Sequence, residues 1–296
     1  MNKKGAQHSV KYQDKTPQRL DVFAAQSFGF SRSKAQKLIK NGNILVNDSK
    51  VLSKYSLQIN DEVSLSESQK DKTLPSVPII YEDDVLIVID KPSGTSVHPA
   101  PGEKDPTIIE VLDKKLNFNK PTINSGVVHR LDKGTSGVMI IAKDEKTQAY
   151  FQQLFKSRKV NKTYLALICG HLVPKAGIIE MPLKRDLIQR GKMGISQSGK
   201  KAKTRYKVIA QNDNYSYLEV KPETGRTHQI RVHLSSLGYP IVGDKRYGAK
   251  TKIPGRMFLH AHRLDFIHPV SKKRVHYTSQ LPQDLKGMLK SCLGLD

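Results

Sequence analysis

Strand-like and helix-like segments alternate along this chain, but several strand pairs sit too close together for a helix to cross between them. "IIYEDDVLIVID", "KTYLALICG", "KTRYKVIA" and "YSYLEV" carry the alternation or the short apolar runs of strands. "TIIEVLDKKL", "DEKTQAYFQQLFKSR" and "THQIRVHLSSLG" carry helical periodicity, with Thr107 and Asp144 placed as caps and Gly238 and Pro240 as a stop. Tyr150, Phe151, Leu154 and Phe155 share the inner face of one helix, and Ile230, Leu234 and Leu237 that of another. A parallel strand pair needs a crossover of roughly a dozen residues. The spacing therefore predicts an α+β domain, with a mixed, mostly antiparallel central sheet and flanking helices.

That domain is expected over residues 78–285, followed by a C-terminal tail, 286–296; the end of the chain, "LPQDLKGMLKSCLGLD" from Leu281, reads only as a helix. Ahead of it, residues 1–16 are polar and patternless and read as a flexible basic tail, and 66–77 have the composition of a linker. Between them, residues 17–65 form a small unit. Leu20, Phe23, Ala24 and Phe28 lie on one helical face. Ser31 caps a second helix, with Ala35, Leu38 and Ile39 inward and Gly42 as its stop, and "NILVND" and "DEVSL" read as strands. Arg32, Lys34, Lys37 and Lys40 fall on the outer side. Those charges suit either an ordinary solvated face or an RNA surface. The pattern "RLD…SRSKAQKLIKNGNILVN" resembles the small RNA-binding module named for ribosomal protein S4, which favours RNA. Asp48 stands where that module often has glycine, and Asn47-Asp48 still suits a hairpin turn.

Charge narrows the partner. Fifty Lys+Arg against 27 Asp+Glu leave a net charge of +23, an excess that calls for a polyanion such as a nucleic-acid backbone. No apolar run approaches the roughly eighteen residues of a spanning helix, and no signal-peptide core follows the first residues. A cytoplasmic protein without membrane partners, and a monomer, is expected. Cys169 and Cys292 lie far apart in the sequence without a ligand pattern, so neither a metal nor a disulfide framework is indicated. Between Pro182 and Lys207 the chain carries nine Lys/Arg and one Asp. This stretch, including Lys184, Arg185, Lys200, Lys201 and Lys203, reads as a basic hairpin or loop for RNA phosphates, or as a disordered surface loop.

"HRLDKGTSG", residues 129–137, places His129, Arg130 and Asp132 at a sharp turn between "GVV" and "VMIIAK", both of which read as buried strand. An aspartate beside glycine is ordinarily an Asx turn, bonded to local backbone. Its company suggests more: His98 in "KPSGTSVHP", Tyr164 in "KTYLALICG" and Arg226 in "GRTHQIRVHL" are all placed at strand or helix ends.

Those four segments, with "GYPIVGDKRYG" and "LHAHRLDF…HP" after them, occur in an order that resembles the RluA-type family of RNA pseudouridine synthases, over about residues 78–280. The resemblance implies isomerisation of uridine to pseudouridine within RNA, without cofactor or metal. It makes Asp132 the catalytic carboxylate, pairs Arg226 with it, and makes Tyr164 the active-site tyrosine. It also implies that Arg130 fills the space of an extruded nucleotide. A carboxylate can stabilise or attack a sugar centre whose glycosidic bond is breaking. Extrusion of the base costs a few kcal/mol. Arg226 also suits a phosphate contact, and Tyr164 a half-buried strand position beside Ala166 and Ile168. His129 and His98 are expected to make structural hydrogen bonds. Because large-subunit members carry an S4 module, the resemblance implies ribosomal RNA as substrate. Transfer RNA, a non-catalytic assembly role and base excision are the alternatives. Base excision is disfavoured because glycosidases use two carboxylates and this motif supplies one.

Overall fold

The computed structural model describes residues 7–66, 76–99, 105–116, 126–186, 189, 191–248, 253 and 255–295. The chain divides into two compact units, Met1–Thr73 and Leu74–Asp296.

In the first unit β1 (Gln7–Lys11), β2 (Gln18–Arg19), α1 (Leu20–Ser27), α2 (Arg32–Asn41), β3 (Ile44–Val46), β4 (Ser56–Leu57) and β5 (Glu62–Ser66) follow in order. Leu20, Ala24, Ala35 and Ile39 bury the facing sides of the two helices against Ile44, Val46 and Val63. Ser31 accepts the Lys34 N–H at 3.3 Å, and Gly42 ends α2 at φ 77°, a left-handed value that glycine adopts without a Cβ penalty. Asn47 and Asp48 both take positive φ, and Val46 and Ser49 exchange backbone hydrogen bonds across them. The Asn-Asp pair thus makes the hairpin turn.

One expectation fails here. Residues 7–11 are a strand in the order β1-β5-β3, and Tyr12 is buried with its ring edge-on to Phe23 at 5.2 Å. An outer strand held by backbone pairing leaves little apolar pattern to read, and Val10 and Tyr12 are its two apolar marks. The linker also narrows, since Ser66 belongs to β5 and Val77 joins a core.

The second unit runs β6 (Ile79–Glu82), β7 (Leu86–Lys91), α3 (Ile108–Leu116), β8 (Ser136–Ala142), α4 (Glu145–Lys156) and β9 (Asn161–Cys169). Next come β10 (Ala176–Glu180), β11 (Leu183–Arg185), β12 (Met193–Ile195), β13 (Lys203–Gln211), β14 (Tyr215–Pro222) and α5 (Gln229–Ser236), then β15 (Leu259–Ile267), β16 (Arg274–Thr278) and α6 (Gln283–Leu293). Nine strands form one sheet in the order β10-β13-β14-β9-β15-β8-β7-β6, with β16 beside β15. All its pairings are antiparallel except β15 with β8, so the sheet is mixed and mostly antiparallel. "GVV" contributes only an isolated bridge, Val127 to Ile141.

Two cores pack on this sheet. One joins β7, β8 and β15 to Phe151 and Leu154 of α4, and the other joins β9 and β14 to Ile230 and Leu234 of α5. The second also takes in Leu285, Met288, Leu289 and Cys292 of α6. Residues 286–293 are therefore part of the domain and not a tail, because their i, i+3, i+4, i+7 spacing gives the helix an apolar face to bury. Tyr164 packs against both cores.

Candidate active site

The "HRLDKGTSG" segment leads into β8, beside the parallel junction with β15. Gly137 takes φ 119°, and a Cβ there would lie 2.2 Å from the Ala261 carbonyl oxygen. Only glycine permits so close a backbone approach. Asp132 O accepts the Thr135 N–H at 3.0 Å, closing the turn. The loop after β7 fastens it: the Gly94 N–H donates to Lys133 O at 2.7 Å and the Ser93 hydroxyl to Gly134 O at 2.9 Å. Fully buried Lys91 donates to the carbonyls of Pro92 and Thr95, at 2.9 and 2.8 Å. Burial pushes its ammonium down to about 7, against the opposing pull of the Asp132 charge.

Arg231 Nη1 donates to Asp132 Oδ2 at 2.9 Å. The same guanidinium makes a two-pronged contact with Asp244, Nε at 2.7 Å and Nη2 at 2.9 Å. Such a fork fixes the orientation of the charge as well as its presence. The expected Asp132–Arg226 pair is therefore corrected: the partner is Arg231. Arg226 is exposed in the loop between β14 and α5, where its Nε donates to Lys201 O at 3.2 Å. It lines the same cavity without being paired to Asp132. Five residues later the chain has entered α5, whose buried face carries Arg231 toward the turn. The available sign was a charge lodged between Ile230 and Val232, since a buried arginine needs partners.

Tyr164 lies half-buried on β9 and lines the cavity with Asp132 and Arg231. Burial, reinforced by the Asp132 charge, raises its phenol well above the ordinary tyrosine value. Lys162, two residues earlier and so on the same strand face, also lines the cavity and donates to Thr224 O at 3.2 Å. Burial and the nearby Arg158 bring its ammonium down to about 8. The cavity holds about 460 Å³, a volume suited to a nucleotide. His129 Nε2 accepts the Ile140 N–H at 3.0 Å, and its ring stacks on Phe155 at 4.6 Å. His129 thus makes the structural hydrogen bond expected of it, while also lining the cavity. Burial lowers the His98 imidazole, and the charge of Arg130 adds to this. Among the described residues no His, Cys, Asp and Glu cluster suits a metal.

The RNA pseudouridylate synthase family matches residues 85–236, and the S4 domain matches 18–63. This chain belongs to the RNA pseudouridylate synthase family. It is an isomerase that converts uridine in RNA to pseudouridine. The chain is 35% identical to the ribosomal large subunit pseudouridine synthase D of Pseudomonas aeruginosa, covering 92% of this chain and 91% of the relative. It is also 35% identical to the protein of that name from Xanthomonas campestris, covering 92% and 88%. A human structure, RNA pseudouridylate synthase domain containing 4, superposes with a TM-score of 0.59 at 28% identity, covering 72% and 91%.

Around the synthase cavity Arg130 is exposed on the lining. Lys184 and Arg185 are exposed on the β11–β12 hairpin, and Lys200 and Lys201 just beyond it. Lys203 departs from the expectation: Glu180 and Glu223 hold its ammonium at 3.5 and 3.9 Å, so its charge is already shared with two carboxylates. Within the S4 unit Lys37 and Lys40 are exposed on α2, and Lys34 lies 4.1 Å over the Phe30 ring. Arg32 is half-exposed and bonded to fully buried Asp21, which also accepts from Arg19 and Gln36. The Arg19 hydrogen bond, chief among these, holds that carboxyl far below the usual range despite burial. Asp21 thereby presents two arginines in fixed positions.

Proposed function

We propose that this synthase acts on uridines of large-subunit ribosomal RNA, and that Asp132 is the carboxylate that works on the glycosidic bond. The reading of the site rests on one observation above all: Asp132 is held at 2.9 Å by an arginine that a second carboxylate also grips. A carboxylate so fixed is aimed before substrate arrives, which is where electrostatic catalysis gains most. In the isomerisation the C1′–N1 bond breaks, the uracil turns, and a C1′–C5 bond forms. The proton at C5 is released and N1 gains one, so the step balances without a redox partner. Tyr164 offers a ring for the uracil to stack on, within the same cavity.

Reaching the base requires removing it from its stack, and the exposed position of Arg130 on the cavity lining supports it as the side chain that fills the gap. Lys184, Arg185, Lys200 and Lys201 supply phosphate contacts near the site, and Arg32, Lys34, Lys37 and Lys40 supply them on the S4 unit. The choice of large-subunit RNA rests on the printed names of the relatives and on the S4 domain. Mapping pseudouridines in ribosomal and transfer RNA from cells with and without this gene tests it. Loss of one or more large-subunit sites, restored by the gene, is expected. Loss confined to transfer RNA would overturn the choice of substrate and leave the chemistry intact.

A further inference from the structure

Two side chains, Tyr247 and His228, lie between the β11–β12 hairpin and Asp132. The Met193 backbone N–H, on β12, donates to the Tyr247 hydroxyl oxygen at 2.9 Å. That hydroxyl lies 2.7 Å from His228 Nδ1. His228 Nε2 in turn lies 3.9 Å from Asp132 Oδ2. The phenol has one hydrogen, and its oxygen is already accepting from Met193. Donating that hydrogen to Nδ1 satisfies both groups. A neutral imidazole then carries its own proton on Nε2, facing a carboxylate that can only accept while ionised. Burial keeps the imidazole toward its neutral form, aided by the Arg231 and Arg246 charges and opposed by Asp132 and Asp244.

Other contacts point the same way. His228 holds φ 54°, a left-handed conformation that a non-glycine residue seldom adopts. Backbone held off its preferred regions tends to mark functional positions. The Tyr247 ring also lies 4.9 Å from the Arg231 guanidinium carbon. Its backbone N–H bonds Asp244, the second carboxylate of the Arg231 fork, at 3.3 Å. Arg246, the preceding residue, donates to Gly191 O near the hairpin tip at 2.8 Å. One short turn, residues 244–247, therefore touches the hairpin, His228 and Arg231 together.

We propose that Tyr247 and His228 are positioning residues that couple the RNA-gripping hairpin to Asp132, with the Tyr247 hydroxyl fixing His228 as the Nε2–H tautomer toward the carboxylate. The coupling rests on the reading of that hairpin as an RNA contact. It makes the reaction rate, and not RNA affinity alone, sensitive to a phenol hydroxyl lying between the hairpin and the imidazole.

Tyr247→Phe removes the hydroxyl and keeps the ring on Arg231. Single-turnover kinetics on large-subunit RNA should show a rate constant about tenfold lower, with RNA affinity within about twofold. His228→Gln should lower the rate as well, and adding Tyr247→Phe to it should change the rate by less than about twofold, because both act through one contact. Nitrogen-15 spectra of imidazole-labelled protein, assigned with the His228→Gln variant, should show the Nε2–H tautomer in wild type and a mixture in Tyr247→Phe. Additive losses in the double variant, or an unchanged tautomer in Tyr247→Phe, would overturn the coupling. If wild type forms no pseudouridine on that RNA, the choice of substrate has failed, and the spectra still decide the tautomer.

Discussion

Arg231 divides its donors between Asp132 and Asp244, and the proposed chemistry relies on that division. Lysine would keep the charge but not the planar fork that bridges two carboxylates. Arg231→Lys should therefore lower kcat by about a hundredfold while RNA affinity changes by less than about twofold. A kcat close to wild type would show that orientation of Asp132 matters little. His129 gives a separate prediction at this scale. Burial, with a smaller effect from the Lys162 charge, pushes its imidazole down to about 3 from an ordinary 6.5, and only the neutral ring can accept the Ile140 N–H. The unfolded chain takes up a proton through pH 6.5 while the folded one resists. The contribution of His129 to stability is therefore present above pH 6.5 and is lost as pH drops toward 3, an effect on the order of a few kcal/mol. His129→Gln removes this titration, so the stability gap between wild type and variant should narrow across that window. A constant gap in thermal melts would contradict the assignment. That Asp132 and Tyr164 share one cavity was legible through the family resemblance, which rests on the short motifs "HRLDKGTSG" and "KTYLALICG". For Arg231 the sequence offers only the weaker sign of its apolar neighbours Ile230 and Val232, because two arginines share "GRTHQIRVHL" and the start of α5 decides which one faces the turn.

At the scale of elements, the site is a junction. The turn before β8, the face of β9 and the first residues of α5 meet where the two cores adjoin. Strand alternation and helix caps made these elements legible: Ser31 and Asp144 cap α2 and α4 with their side chains, and Thr107 and Glu110 hold each other at the start of α3. Two terminal elements depart from what local pattern predicts. β1 is fixed by pairing with β5, a long-range contact that local pattern does not report. The end of the chain shows helical spacing, but nothing in the spacing says which surface α6 would cover. It covers the second core with Leu285, Met288, Leu289 and Cys292. Ending the chain after Pro282 uncovers that surface, and burial of each such side chain is worth roughly 1.5–3 kcal/mol. The shortened protein should melt at least about 10 °C lower or fail to accumulate in soluble form. A melting temperature within a few degrees of wild type would return α6 to the status of a tail.

For the whole molecule, the net charge of +23 and two units with separate cores set the terms of binding. RNA affinity should fall steeply with added salt, because each neutralised phosphate releases counterions. Removing residues 1–73 should flatten that salt dependence and weaken binding to long RNA, yet leave isomerisation of a short substrate intact. Loss of activity on the short substrate would place part of the chemistry in the first unit. The charge was readable from composition alone, whereas its distribution was not: Lys203 lies in the basic stretch but is matched by Glu180 and Glu223. The most direct test concerns Asp132 itself. Pseudouridine formed on a large-subunit RNA transcript, quantified alongside RNA affinity for wild type and Asp132→Asn, separates chemistry from binding. No product from the variant, with affinity unchanged, is the predicted result. Turnover by the variant at a rate near wild type would contradict the account.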